Sequence, residues 1–192
     1  SFPVVVLELS KEFSLSRFLA TLPIPLFMIM SSLFMPYVGK FLDKGEIRSI
    51  LITGALVYGL SLISLYFVFS YISFMLIFTL PMALGVTMMG NISVSKLISL
   101  WFRKYTGRAL GIASVGVSFG GFIFPNLTSF LLGDLGLTWR EAYLLFGILI
   151  ILINVPVVYL FVVNKPSDIN QVPDGEEIAD NSEDASGIDW TI

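Results

Sequence analysis

The chain has 192 residues, of which 56% are hydrophobic and only 13% charged, with a mean hydropathy of +0.88; these values lie far outside those of soluble domains and place it in a membrane. The formal net charge of -3 conceals a division, because most acids follow Lys165 while the part before it carries an excess of Lys and Arg, and a nucleic-acid partner is not indicated. There is no Cys and no His, which removes disulfides, thiolate chemistry, imidazole bases and the commonest zinc ligands, so the sequence points to no metal, no cofactor and no catalytic residue.

The first residues, SFPVVVL, make a short apolar run before Glu8. They lack the basic start, long apolar core and cleavage site of a signal peptide. The expectation is a partial span over about 1–8, the outer end of a truncated helix, followed by a polar loop over 8–17. From Phe18 to Gly39 there is no charge, enough to cross a hydrocarbon core of about 30 Å at 1.5 Å per residue. This predicts a first complete span over about 16–42, bent near Pro23, Pro25 or Pro36.

Gly39 to Leu51, GKFLDKGEIRSIL, is the densest mixed-charge stretch of the first half. Gly39, Asp43, Lys44 and Arg48 resemble the signature loop between the second and third helices of major facilitator superfamily transporters. Gly45 stands one place before the family's second glycine, whose position Glu46 takes. The resemblance implies that Asp43 and Arg48 tie the two halves of a transporter together on the cytoplasmic side. An ordinary solvated loop with positive-inside charge is the plainer alternative.

Between Arg48 and Lys96 there is no charged residue, a run about twice one span. Two spans are expected, about 48–69 and 73–98, reversing near Ser70 to Ser73. Many superfamily members carry an arginine in the fourth helix four residues before a glycine. Counting back from Gly85 gives Pro81, so coupling schemes resting on that arginine do not carry over.

Trp101 to Pro125 runs from a basic turn, with Arg103, Lys104 and Arg108, into a glycine-rich apolar helix expected over about 105–132. Gly107, Gly111, Ser114, Ser118, Gly121 and Pro125 alternate four and three apart along one side, and Gly116 with Gly120 adds a second small pair. Small residues in register let a neighbouring helix approach closely in lipid. The alternatives are packing alone, or a smooth face along which another bundle rocks, with Ser114, Ser118 and Asn91 beside a solute path. Trp101, Phe102, Gly107, Ala109, Gly111, Ile112, Ala113, Gly116, Gly120 and Gly121 are similar to the fifth-helix start of monocarboxylate porters and oxalate/formate antiporters. Gly116 to Gly120 also satisfies a hydrolase elbow pattern, but that needs a strand-to-helix turn and a histidine partner.

Thr138 and Glu141 form a capping box that starts the last span, about 139–163. Trp139 and Tyr143 suit the outer interface, and Asn154, inside the span, is expected to bond a neighbouring helix. Residues 166–192 are acidic and poor in bulky apolar side chains, which predicts a flexible linker. Lys40, Lys44, Arg48, Lys96, Arg103, Lys104, Arg108 and Lys165 fall on one side of this topology and Lys11, Arg17 and Arg140 on the other. The first side is therefore cytoplasmic, and the protein a multi-pass component of a plasma or inner cell membrane.

The resemblance implies an all-α integral membrane fold, the six-helix N-terminal half of a major facilitator, its first helix truncated. A missing C-terminal six-helix half, the lipid bilayer and a small solute are its implied partners. The function implied is secondary transport of small organic anions such as mono- or dicarboxylates, by exchange or with protons, through alternating access. A carrier of another solute, such as a drug, sugar or metabolite, and a non-transporting membrane scaffold or sensor stay open. An intramembrane enzyme lacks the buried acids, histidines or metal site it would need.

Overall fold

The computed structural model of the chain describes residues 2–169 and residue 173, so most of the expected linker over 166–192 lies outside the described residues. Among the described residues the fold is helical: α1 (Phe2–Glu12), α2 (Arg17–Thr21), α3 (Pro23–Asp43), α4 (Ile47–Ser64), α5 (Tyr71–Thr79), α6 (Pro81–Met89), α7 (Asn91–Trp101), α8 (Thr106–Gly133) and α9 (Trp139–Phe161). Among the described residues, five stretches are long and apolar enough to cross a membrane: Arg17–Asp43, Ile47–Phe67, Tyr71–Trp101, Thr106–Gly133 and Trp139–Phe161. α1, with 11 residues, rises about 16 Å, roughly half of a crossing. The expected six-helix half is thus represented by five spans and this shorter helix.

Proline and glycine punctuate the spans where their chemistry requires it. Leu22 separates α2 from α3, with Pro23 at the first position of the new helix, where its missing N–H costs nothing. Pro36 lies within α3 and does not end it. The 71–101 stretch is divided twice. Leu80 departs from helical geometry (φ -98°, ψ -80°) ahead of Pro81, and Gly90 is extended between α6 and α7. A Cβ at Gly90 would lie 2.6 Å from the Val86 carbonyl oxygen, so this break between the two helices tolerates only glycine. The break frees the Met88 carbonyl, and the buried Ser93 hydroxyl donates to it.

α1 runs through Glu8 to Glu12, further than the expected loop over 8–17 allows. Leu9 is fully buried, Glu8 pairs with Lys11 one turn on at 3.4 Å, and Glu12 reaches across to α9, accepting from Trp139 Nε1 at 2.6 Å and pairing with Arg140 at 2.5 Å. Anchored at both faces, the polar residues stay helical. The Thr138 cap forms as the sequence predicts, its hydroxyl accepting from the Glu141 N–H while the Glu141 carboxylate accepts from the Thr138 N–H at 2.8 Å.

α4 is the central post, packed against α6 on one side and α9 on the other. Its contacts are backbone to backbone. A Cβ on Gly147 of α9 would come within 2.7 Å of the Gly59 carbonyl oxygen, and one on Gly85 of α6 within 2.6 Å of Tyr58 N. In lipid, where apolar chains gain nothing by leaving the solvent, such close approach supplies the dispersion that joins helices. Two apolar clusters result. One gathers Val5, Leu9, Leu62, Val68, Phe74, Trp139, Tyr143 and Phe146 at one end, and the other gathers Val38, Leu42, Ile47, Ile50 and Leu51 at the opposite, basic end.

Candidate functional site

α8 is the exception to this close packing, buried only at Thr128 and Leu131. Between it and the rest of the bundle lies a hollow of about 1210 Å3, walled by α4, α6, α7, α8 and α9. α8 contributes Leu110, Ser114, Ser118 and Phe124 along its length, with Gly116, Gly120 and Gly121. Facing it are Tyr58 and Leu62 of α4, Met82 of α6, and Tyr143, Phe146 and Asn154 of α9. The break at Gly90 brings Asn91, at the first turn of α7, to the same wall.

Asn91, Ser114 and Ser118, the residues expected beside a solute path, therefore share one space. They are not equivalent donors. The Ser114 hydroxyl donates to Leu110 O at 2.9 Å and the Ser118 hydroxyl to Ser114 O at 3.1 Å, so both offer only acceptor lone pairs to the hollow. The Asn91 amide retains both donors and its acceptor, and no hydrogen bond among the described residues uses it. Gly107 and Gly111, the first members of the small-residue side, stand clear of the hollow. A Cβ added at either would have no atom within 4 Å, and the same holds for Gly116 and Gly121 on its wall. Pro125 lies inside α8 without ending it. Among the described residues no neighbouring helix closes on Gly107, Gly111, Gly116 or Gly121.

Two polar residues on the wall differ from expectation. Asn154 makes no hydrogen bond to a neighbouring helix among the described residues; its amide lines the hollow instead. Tyr143 is buried, 2% exposed, with its ring set edge-on to Trp139 at 6.1 Å, because α1 and α5 cover the start of α9. Its buried hydroxyl has no hydrogen-bond partner among the described residues. Tyr58, which raises no signal in the sequence, faces the same space. Among the described residues that line it there is no Lys, Arg, Asp or Glu, so these residues can hydrogen-bond a solute and cannot neutralise one.

The signature loop sits at the basic end. Gly45 takes φ +87° and its N–H bonds Leu42 O at 3.1 Å, ending α3 in the left-handed turn that glycine permits. That is why glycine occurs at 45 and the next position can be Glu46. Asp43 pairs with Lys96 of α7 at 3.0 Å. Lys44 lies over the Phe41 ring at 5.1 Å. The Arg48 N–H donates to Asn164 Oδ1 at 2.8 Å, its guanidinium stacks on Tyr159 at 4.4 Å and donates to the Tyr159 carbonyl. Both charges thus join helices of this chain. Gly39 and Asp43 also border a second hollow of about 580 Å3, which Asn91 and Lys96 share.

The sequence profile described as the Major Facilitator Superfamily matches residues 1–187. An MFS-type transporter of Gibberella moniliformis is 31% identical over 119 residues, 60% of this chain and 28% of the relative. The Fujikurins efflux protein of Gibberella fujikuroi is 33% identical over 121 residues, 60% of this chain and 25% of the relative. An uncharacterized MFS-type transporter of Bacillus subtilis, YcxA, is 24% identical over 166 residues, 86% of this chain and 40% of the relative. The chain spans between a quarter and two fifths of the length of these curated relatives.

Proposed function

Since this chain belongs to the Major Facilitator Superfamily, we propose that it forms the N-terminal half of a two-half secondary transporter for a small organic solute, and acts as a carrier, not an enzyme. Such carriers hold solute near the bilayer midplane between repeats and rock one against the other. The observation that supports this reading is the discontinuous 71–101 span, whose break presents Asn91 to a hollow bounded by the largely exposed α8. Irregular backbone at membrane depth is tolerated where it lines a cavity. In this reading the path runs past Asn91, with Ser114 and Ser118 as acceptors. The small residues of α8 form the face that meets the C-terminal half. Gly39, Asp43, Lys44 and Arg48 brace the cytoplasmic side of a cell membrane, ahead of a cytoplasmic linker.

The resemblance to carboxylate porters favours small organic anions as cargo, exchanged or moved with protons. An anion then takes its cation from helices of the other half, since a lone Lys or Arg in these spans would cost about 2.5–3.5 kcal/mol. The uncharged wall favours a second reading, an uncharged organic product carried outward, the direction that the name of the Fujikurins efflux protein gives for that relative. Membrane vesicles bearing the whole transporter decide. Exchange of labelled mono- or dicarboxylates for their unlabelled forms supports the first reading, and movement of neutral solutes only supports the second. No solute flux above protein-free vesicles across both panels would reject transport.

A further inference from the structure

A third cavity lies at the end of the bundle away from the basic loops, between the close of α1 and the turn from α8 to α9. Its volume of about 560 Å3 falls within the roughly 300–1,000 Å3 of small-molecule sites, and it shares no lining residue with the larger hollow. Among the described residues that line it, four are charged: Glu8, Lys11 and Glu12 of α1 and Arg140 of α9. The frame is fixed. The Val68 carbonyl holds Arg140 at 2.8 Å and Glu12 holds it at 2.5 Å, while Glu12 also accepts from Trp139 Nε1. The turn opposite is set by Gly136 at φ +65° and by the Leu137 N–H, which donates to Leu131 O at 3.0 Å.

Binding capacity of both signs is left over. Arg140 serves Val68 and Glu12 through Nε and Nη2, and its Nη1 N–H groups meet no acceptor among the described residues. Lys11 has three N–H donors and gives one to Glu8 Oε1 at 3.4 Å, which leaves Glu8 Oε2 without a donor among the described residues. Glu141 is occupied by its cap on Thr138 and does not line the cavity. The acids and bases of the lining therefore balance. A lone anion would face Glu8 and Glu12, and a lone cation would face Lys11 and Arg140. A group that carries both charges finds a partner for each.

Location narrows the choice. α8 ends and α9 begins here, so the cavity stands at the ends of two spans, in the head-group layer about 5–8 Å deep on each face of the hydrocarbon. Trp139 lines it, and tryptophan favours that layer. Apolar surface adjoins the charges. Leu132 and Leu137 belong to the lining, Leu7 stands one turn before Lys11 on the same face of α1 and is 60% exposed, and Phe130 near the end of α8 is 49% exposed. A water-soluble zwitterion gains nothing from these side chains, whereas a phospholipid lays its chains along them. We propose that this cavity binds the head group of a zwitterionic aminophospholipid, its phosphate on Arg140 and Lys11 and its primary ammonium on Glu8 and Glu12. The site lies apart from the solute path and does not depend on what the protein carries.

The test titrates the chain, purified in detergent, with phosphatidylethanolamine, phosphatidylcholine and phosphatidylglycerol of identical acyl chains, and counts bound lipid by native mass spectrometry. Phosphatidylcholine keeps both charges but its quaternary nitrogen has no N–H, and phosphatidylglycerol keeps only the phosphate. Phosphatidylethanolamine is expected to bind about tenfold more tightly than either, through charge-assisted hydrogen bonds that the other two cannot make. Glu8→Gln and Lys11→Gln should each bring that ratio below about threefold. Arg17→Gln, which removes a cation of the same end that does not line the cavity, should leave it unchanged. The Glu8–Lys11 pair is exposed, so the lipid-free unfolding midpoint of both variants should stay in place, and a lost preference is then read on folded protein. Equal affinity for the three lipids, or a preference that survives both Glu8→Gln and Lys11→Gln, would overturn the proposal. Competition with free phosphoethanolamine separates the two sources of this chemistry. Lipid that stays bound supports a phospholipid site, and displacement at equal concentration assigns the cavity to a soluble zwitterion and overturns the lipid assignment. No arm involves transported solute, so failure here leaves the transport reading standing, and the reverse.

Discussion

Arg140 shows how one side chain can hold three elements. It pairs with Glu12 of α1 at 2.5 Å, donates to the Val68 carbonyl between α4 and α5 at 2.8 Å, and covers the Trp139 ring at 4.5 Å. Its side chain is 20% exposed and that of Glu12 35%. Removing one member strands a partly buried charge, so Arg140→Ala should cost about 2–3 kcal/mol, read as a lower unfolding midpoint in detergent. Arg140→Lys should recover only part, because a point charge cannot serve carboxylate, carbonyl and ring together. The Asp43–Lys96 pair is the contrast. With 72% and 39% exposure it should be worth less than about 1 kcal/mol, and Lys96→Ala should shift the midpoint little. The sequence marks Arg140 as a loop cation beside an aromatic. It gives no sign of Glu12 as partner, since the two are joined only once α1 and α9 lie side by side.

At the scale of the helix, glycine has two meanings here and the sequence distinguishes them poorly. Gly59 and Gly147 lie where α4 and α9 touch, and a Cβ on Gly59 would meet Ile151 Cγ1 at 2.5 Å. Gly111 and Gly121 of α8 face nothing within 4 Å. Gly59→Ala or Gly147→Ala should therefore destabilise by about 1–3 kcal/mol through overpacking, while Gly111→Ala or Gly121→Ala should stay within about 0.5 kcal/mol. Thermal unfolding of the four single variants checks the contrast, and equal losses in all four would contradict it. Regular spacing draws the eye to α8, yet the tightest contacts use isolated glycines in α4, α6 and α9. Where a helix is apolar all round, no polar face marks which side is turned inward. The break at Gly90 is equally hard to read, because a glycine in a span signals a bend, a contact or neither until its neighbours are placed. The capping box is legible because Thr138 and Glu141 satisfy each other three residues apart and need nothing distant.

For the whole molecule, the placing of charge in the sequence carries most of the architecture. Long uncharged runs bracketed by Lys and Arg mark the helices long enough to cross a bilayer, and the ends of those helices come together in two groups. At one end Asp43 meets Lys96, Arg48 meets Asn164 and Trp101 Nε1 donates to Val163 O at 3.3 Å. At the other, Glu12, Val68, Trp139 and Arg140 join, and the Tyr71 hydroxyl donates to Leu19 O. The first group includes Lys40, Lys44, Lys96, Arg103, Lys104, Arg108 and Lys165, the second only Lys11, Arg17 and Arg140. Short loops with such a bias orient a bundle with the basic end in the cytoplasm. In a chain free of cysteine, Lys44→Cys and Lys104→Cys should then react with an impermeant thiol reagent only from the cytoplasmic side, and Lys11→Cys only from outside. Inverting the bundle would exchange all three patterns together, because the loops are tied to one another within each end. Labelling of Lys44→Cys and Lys104→Cys from opposite faces would instead break the basic end apart, and with it the assignment of 47–67 and 71–101 as two successive crossings.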